Sequence, residues 1–254
     1  MKIQVIVAAH KAYSMPKDPM YLPLHVGKEG KDLELGFQGD NTGDHISCKN
    51  PTFCELTGIY WAWKNLHCDY IGLAHYRRHF RGKKTRDKWD GILTTAQAEA
   101  LLKDTDVLLP KRRNYYIETV YNQYVHAHPA EPLDLALQLA ADQGEAYKKA
   151  VASMKKRTWT HIYNMFLMKK DIFDNYCQWL FPILFEVERK IDISSYSQYD
   201  KRVFGFLSER LLDIYLEANG IPYREVPVMF MEQQNWLKKG TAFLKRKFFP
   251  KKEG

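Results

Sequence analysis

The sequence predicts an α/β fold: a mixed, mostly parallel sheet with helices packed on both faces. Three observations lead there. The run IQVIVAAH (residues 3–10) is continuously apolar, as a strand buried on both faces must be. Strand-like and helix-like segments then intersperse along the chain, which puts helices on the faces of one sheet. Finally, 254 residues with 45% apolar content suffice to fill such a core.

The elements follow in order. After the first strand comes a turn-rich stretch, GFQGDNTGDHISCKNP (residues 36–51). Asn50 before Pro51 reads as an N-cap with proline at the first helical position. The helix it opens, residues 51–66, sets Phe53, Leu56, Tyr60 and Trp63 on one stripe. A strand over residues 70–74 follows, then a helix over 95–103 and a short buried strand over 106–110. Residues 115–156 are helical and more polar, interrupted by HAHPAEP. A strand is predicted over 162–170 and a long amphipathic helix over 171–191, with Pro182 inside it as a possible kink point. A second long helix, 198–220, closes on Gly220, and residues 223–230 form a last strand. No internal repeat or Ser/Gly-rich linker divides the chain. One domain over 1–237 and a basic aromatic C-terminal tail over 238–254 are expected.

Charge separates the same two parts. The formal net charge is +8, and residues 238–254 hold seven Lys/Arg against one Glu. That segment carries +6, leaving +2 for the other 237 residues. A near-neutral body argues against nucleic acid, which calls for a basic face on the folded domain. Four cysteines without a C-x-x-C pair read as reduced thiols of a cytosolic protein. Neither a signal peptide nor an apolar run of the ~20 residues that span a bilayer is apparent.

Several residues carry candidate chemistry. His75, Tyr76, Arg77 and Arg78 end the inferred central strand, where open α/β sheets bind ligands. Arginine holds phosphate oxygens bidentately, and histidine adds a donor; the plainer reading is a surface turn paired with acids. In GDNTGDHIS (residues 39–47), Asp40 or Asp44 suits sugar hydroxyls or a metal, without the spacing of an EF-hand or P-loop. The plainer reading there is a loop of several turns. Asn164 is polar within an apolar run, so it ties a neighbouring loop or reads a ligand hydroxyl. Glu209 suits a general base or an ion pair with Arg202 or Arg210. His126 and His128 do not share a helix face and lack a third ligand, so zinc is not expected.

Together the segments IVAAHK, LGFQGDNTGDHIS, KNPTFCELTGIYWAWKNL, YIGLAHYRRHF, LLPKRRNYYIETVYNQYVHAH, NMFLMKKDIFDNYCQWLFPILFEVE and RVFGFLSERLLDIYL resemble the domain of unknown function 4422 family. The resemblance runs from about residue 2 to 235. Members occur in bacterial capsular, exopolysaccharide and other surface-glycan gene clusters. They are regarded as glycosyltransferases with a GT-A-like, Rossmann-like domain. The resemblance implies a nucleotide-sugar donor, a UDP-hexose, with galactose (pyranose or furanose) as the hexose by family association. It also implies a lipid-linked glycan acceptor. Ala8 and His10 would then hold base and ribose, with Asp40, Asn41, Thr42 and Asp44 completing that side. His75, Tyr76, Arg77 and Arg78 would hold the diphosphate, and Asn164, His126 and His128 would meet the acceptor. Glu209 is the first choice of base, with Asp200 and His161 as alternatives.

One departure is instructive. GT-A enzymes usually place an Asp-x-Asp metal pair where this chain has HYRR. Cations there would offset the leaving diphosphate's charge without a metal, so no cofactor is expected. Should Mn or Mg be required, Asp40 and Asp44 are its expected ligands. The tail mixes Phe243, Leu244, Phe248 and Phe249 with Lys245, Arg246 and Lys247, which fits an anionic membrane surface. Peripheral contact between Lys238 and Lys252, at the inner face of the plasma membrane, is the expectation; a solvated tail is the alternative. A non-catalytic nucleotide-sugar or glycan-binding subunit of a polysaccharide-assembly complex is the competing function, and no oligomeric state is predicted.

Overall fold

The computed structural model describes residues 1–233. The expected boundary at residue 237 and the basic tail lie outside the described residues. The strands are β1 (Ile3–Ala9), β2 (Tyr21–His25), β3 (Gln38–Gly39), β4 (Tyr70–His75), β5 (Arg78–Phe80), β6 (Val107–Pro110), β7 (Arg113–Asn114), β8 (Trp159–Thr160), β9 (Phe166–Lys169), β10 (Arg224–Val226) and β11 (Val228–Phe230). The α-helices are α1 (Asn50–Phe53), α2 (Leu56–Asn65), α3 (Thr95–Leu101), α4 (Val120–Val125), α5 (Glu131–Ala141), α6 (Glu145–Lys156), α7 (Lys170–Lys190) and α8 (Val203–Ala218).

The main sheet runs β10-β6-β9-β4-β1-β2-β3, and β5 and β11 pair beside β4. All strands of the main path are parallel except β9, which is antiparallel to both β4 and β6. The expected mixed, mostly parallel sheet flanked by helices is therefore present. β1 shows why the sheet is covered on both sides. Ile6 and Ala8 join the larger core with α2 and α5 to α8, while Ile3, Val5, Val7 and Ala9 face the smaller core with Ala98 of α3. At Gly72 of β4 an added Cβ would lie 2.8 Å from the Phe166 carbonyl oxygen, so only glycine admits this approach of β9.

Several local expectations change. The helix over 51–66 is broken: Cys54 takes φ +52, ending α1 before α2 begins. Asn50 is the first residue of α1 rather than its cap, and its Nδ2 donates to the Cys54 carbonyl, bracing the break. The strand over 162–170 shortens to β9, because Tyr163 and Asn164 adopt φ +79 and +54 and turn the chain. The strand over 223–230 divides at Pro227, sending β10 to β6 and β11 to β5. Lastly, β2 was hidden by Pro23. The strand β3 pairs only with Leu24 and His25, so β2 is an edge at Pro23, where proline is tolerated. The end of α8 follows expectation. Gly220 at φ +60 lets its own N–H reach Glu217 and the Ile221 N–H reach Leu216, closing the helix in a Schellman turn.

Candidate active site

A cleft of about 510 Å³ opens beyond the carboxyl ends of β1 and β4. Its position is fixed by how β4 ends. The strand stops at His75, turns through Tyr76 and Arg77, and returns as β5 with Arg78 opposite His75. A continuing strand would have sent alternate side chains to opposite faces. The turn instead brings His75, Tyr76, Arg77 and Arg78 all to the cleft, where Ala8 and His10 of the β1 end join them. The Tyr76 N–H donates to the Ala8 carbonyl and the Met231 N–H to the Arg77 carbonyl, pinning the turn from both sides.

The positive charge is narrower than expected. Burial, opposed only partly by Glu55, holds the His75 imidazole below its usual value. His75 Nε2 donates to the Tyr163 carbonyl at 2.6 Å, and the lowered pKa favours the neutral ring, so the cleft's charge does not rest on this residue. His10 is also pushed down, by burial and then by Arg77. The charge belongs to the arginines. Arg77 packs over Tyr76 and pairs with Glu232 at 3.2 Å. The Arg78 guanidinium lies over the Tyr163 ring, 4.7 Å from its centroid, and meets no carboxylate among the described residues. Arg202, not foreseen as a ligand residue, lines the same cleft and donates through Nε to Cys54 Sγ.

Two carboxylates face these arginines. Glu209 lines the cleft as expected, but both its oxygens are engaged. One accepts the Tyr163 N–H at 2.8 Å and the other the Arg210 guanidinium at 2.6 Å. Burial raises its pKa, against the lowering pull of Arg210. Glu55 was missed. Its Oε1 accepts from Asn164 Nδ2 at 2.8 Å, while its second oxygen takes no hydrogen bond from the described residues. The bend at Tyr163 and Asn164 thus holds three cleft groups together. The Tyr163 N–H holds Glu209, the Tyr163 carbonyl holds His75, and the Asn164 side chain holds Glu55.

Other expected site residues lie elsewhere. Asn164 is only 4% exposed and sits behind the cleft wall, where it also donates to the Gly205 carbonyl and accepts from Ser208. Asp40 is fully buried. Its carboxylate accepts from the Gly27 and Lys28 N–H groups and from the Ser47 and Thr57 hydroxyls, so it braces the loop after β2. Thr42 accepts from Trp61, and Asp44 from Tyr60, while Asn41 packs against Gly39; none of the three lines the cleft. His161, 1% exposed, is locked between Asp213 and Glu225. His126 meets Glu118 at 2.8 Å. His128 meets Asp200 at 3.0 Å and packs on Phe206, whose ring lines the cleft. Asp200 also accepts from Ser197, so its carboxylate is satisfied away from the cleft.

These placements bear on the metal that the fold class brings to mind. Asp40 has four donors of its own, Asp44 lies outside the cleft, and the β4 turn presents arginines. Among the described residues, no group of three or more His, Cys, Asp or Glu is arranged to hold a metal. The residues foreseen as ligands do not fit one. No helix among the described residues is long and apolar enough to cross a membrane.

The geometry has a counterpart. The chain matches the apo structure of the bifunctional glycosyltransferase WbbM with a TM-score of 0.85 and 29% identity. The match covers 92% of this chain and 46% of that one, so this chain spans about half of its neighbour's length. No curated protein matches. The family model described as "Domain of unknown function (DUF4422)" matches residues 4–220, and the chain belongs to that family.

Proposed function

We propose that this chain is a glycosyltransferase that moves a hexose from a UDP-sugar to a lipid-linked glycan in bacterial surface-polysaccharide synthesis, without a metal. Galactose, as pyranose or furanose, is the first sugar to test. The observation that carries the reading is one cleft in which Arg77, Arg78 and Arg202 face the carboxylates of Glu55 and Glu209. The family membership and the glycosyltransferase neighbour support it.

In this scheme the donor diphosphate lies against the arginines and the base and ribose lie toward Ala8 and His10. The bond from the anomeric carbon to the phosphate oxygen breaks, and the nucleoside diphosphate leaves with the electron pair. Charge grows on that leaving group in the transition state, and fixed guanidinium groups stabilise it there more than in the ground state. The acceptor oxygen bonds to the anomeric carbon and gives its proton to Glu55, the carboxylate with an oxygen to spare. Glu209 positions the Tyr163 backbone. Peripheral membrane contact through Lys238 to Lys252 completes the proposal and would bring the enzyme to a lipid-linked acceptor.

The test is a screen of UDP-, GDP- and CMP-hexoses for binding and hydrolysis, each with and without excess chelator. UDP-hexose turnover that survives chelator is expected. Binding without turnover on any acceptor would instead mark a nucleotide-sugar-binding subunit. For the tail, sedimentation with anionic liposomes should fall when residues 238–254 are removed; equal binding would end that part.

A further inference from the structure

A second space, a groove of about 410 Å³, lies beside the cleft and shares Tyr163 with it as a wall. It forms beyond the carboxyl end of β6, where the chain reads Lys111, Arg112, Arg113, and it is closed by Pro227, Val228 and Phe230. Three features separate it from an ordinary surface dip. Three consecutive cations line it, and no carboxylate among the described residues does. Only Arg112 is neutralised, by Glu225; Lys111 and Arg113 meet no acidic partner among the described residues. Tyr116, also lining it, is 83% exposed and holds φ +59, uncommon for a non-glycine residue, at the centre of a tight turn closed by the Ile117 N–H on the Tyr115 carbonyl.

We propose that this groove is the acceptor subsite and that it selects an acceptor carrying a phosphate or carboxylate group. The proposal deepens the glycosyltransferase reading and rests on it. Guanidinium and ammonium groups left without acids hold oxyanions by charge-assisted hydrogen bonds. The rings of Tyr116, Tyr163 and Phe230 offer flat apolar faces for a sugar, as ligand sites commonly do. Because Tyr163 borders both spaces, a sugar held here has its hydroxyls next to the cleft that contains Glu55. Arg78 sits on that same Tyr163 ring, so the two anionic ligands, donor and acceptor, meet different cations across one aromatic wall.

The anion has two possible chemical sources, the diphosphate of a lipid-linked acceptor or an acidic sugar. Three probes distinguish them: an alkyl hexosyl diphosphate, the uncharged alkyl hexoside of the same sugar, and an alkyl hexuronide. Affinities are measured calorimetrically at low and high salt, with saturating UDP present so that the diphosphate probe cannot enter the donor cleft. Binding of UDP alone is titrated in parallel. A charged probe should bind about tenfold or more tightly than the neutral one, as expected for a charge-assisted contact. High salt should shrink that margin. A K111Q/R113Q double variant, with its melting temperature checked, should lose most of the margin while neutral-probe and UDP affinities hold. Preference for the diphosphate over the hexuronide assigns the anion to the carrier; the reverse preference assigns it to an acidic sugar. Equal affinity for charged and neutral probes overturns the proposal. So does a double variant that weakens UDP and the charged probe alike, since the groove would then belong to the donor site. A wild-type chain that binds no UDP, yet holds the charged probe through Arg113, refutes the donor reading and leaves the anion site standing.

Discussion

Asn164→Ala tests whether the bend at Tyr163 and Asn164 organises the site. Three hydrogen bonds end on this side chain, but they are not equally exposed to its loss. The Gly205 carbonyl gains a replacement donor, because the one Ser208 hydroxyl proton, released from Asn164 Oδ1, can turn to that carbonyl 3.0 Å away. The loss therefore concentrates on Glu55, whose only hydrogen bond from a described side chain is Asn164 Nδ2. A hydrogen bond to a charged partner contributes about 2 kcal/mol. Alanine is also less tolerant than asparagine of φ +54, for about 1 kcal/mol more. The sum is about 3 kcal/mol, or roughly 6–12 °C in melting temperature for a chain of this size. Turnover should fall by more than the donor KM rises, because Glu55 loses its orientation while the arginines do not. Asn164→Gly separates the two causes: it removes the hydrogen bonds but accepts the backbone, so it should melt above the alanine variant. Urea unfolding and calorimetry read both effects. An alanine variant within about 1 kcal/mol of wild type, or glycine and alanine variants that melt together, would refute the reasoning.

Other expectations follow from the same geometry. Arg78→Ala should cut kcat/KM for the nucleotide sugar by roughly 100-fold, in the range seen when a transition-state donor is removed. Because its guanidinium has no acidic partner among the described residues, the loss of thermal stability should be small; steady-state kinetics with a melting curve check both. Glu55→Gln should lower turnover more than Glu209→Gln while leaving nucleotide affinity unchanged, and the reverse order would return the base to Glu209. Stability should fall in acid through His79, whose pKa burial pushes down to about 4. The unfolded chain takes up that proton near pH 6.5, so stability is full above 6.5 and is lost as pH falls toward 4, by on the order of 3 kcal/mol. Urea unfolding at pH 7 and 4.5 should show His79→Phe with a shallower loss than wild type, and parallel losses would exclude His79 as the cause.

The parts of this site legible in the sequence are those whose signal is compositional. An apolar run marked β1, and HYRR at the end of a buried strand marked residues that line the cleft, because ligands of open α/β sheets bind at the carboxyl ends of the strands. The turn that gathers those four side chains follows from pairing Arg78 with His75, which depends on β11 and Pro227 far along the chain. Glu55 was illegible for a related reason. It lies between the fully buried Phe53 and Leu56 in a segment with helical period, so it reads as a stray charge on a helix. Only the left-handed Cys54 turns it to the cleft, and no glycine or proline announces that break. Asp40 misled in the opposite sense. A carboxylate in a glycine-rich loop resembles a ligand, yet the loop needs it to satisfy its own N–H and hydroxyl groups.

The two turn arginines are not equivalent, and on the proposed reading the difference bears on how the cleft would hold a diphosphate. Arg77 shares its charge with Glu232, and both side chains are well exposed, so solvent screens that pair and it contributes little to stability. Such an arginine is free to exchange a carboxylate for a phosphate at small cost. Arg78 is held over the Tyr163 ring, whose own backbone is fixed by His75 and Glu209. Its charge is therefore placed before the substrate arrives, which is what transition-state stabilisation requires. A bound metal would supply both attraction and position from one ion. Here the two are divided: Arg77 is exchangeable, Arg78 is positioned, and the neutral His75 serves as the peg that fixes Tyr163 instead of adding charge of its own.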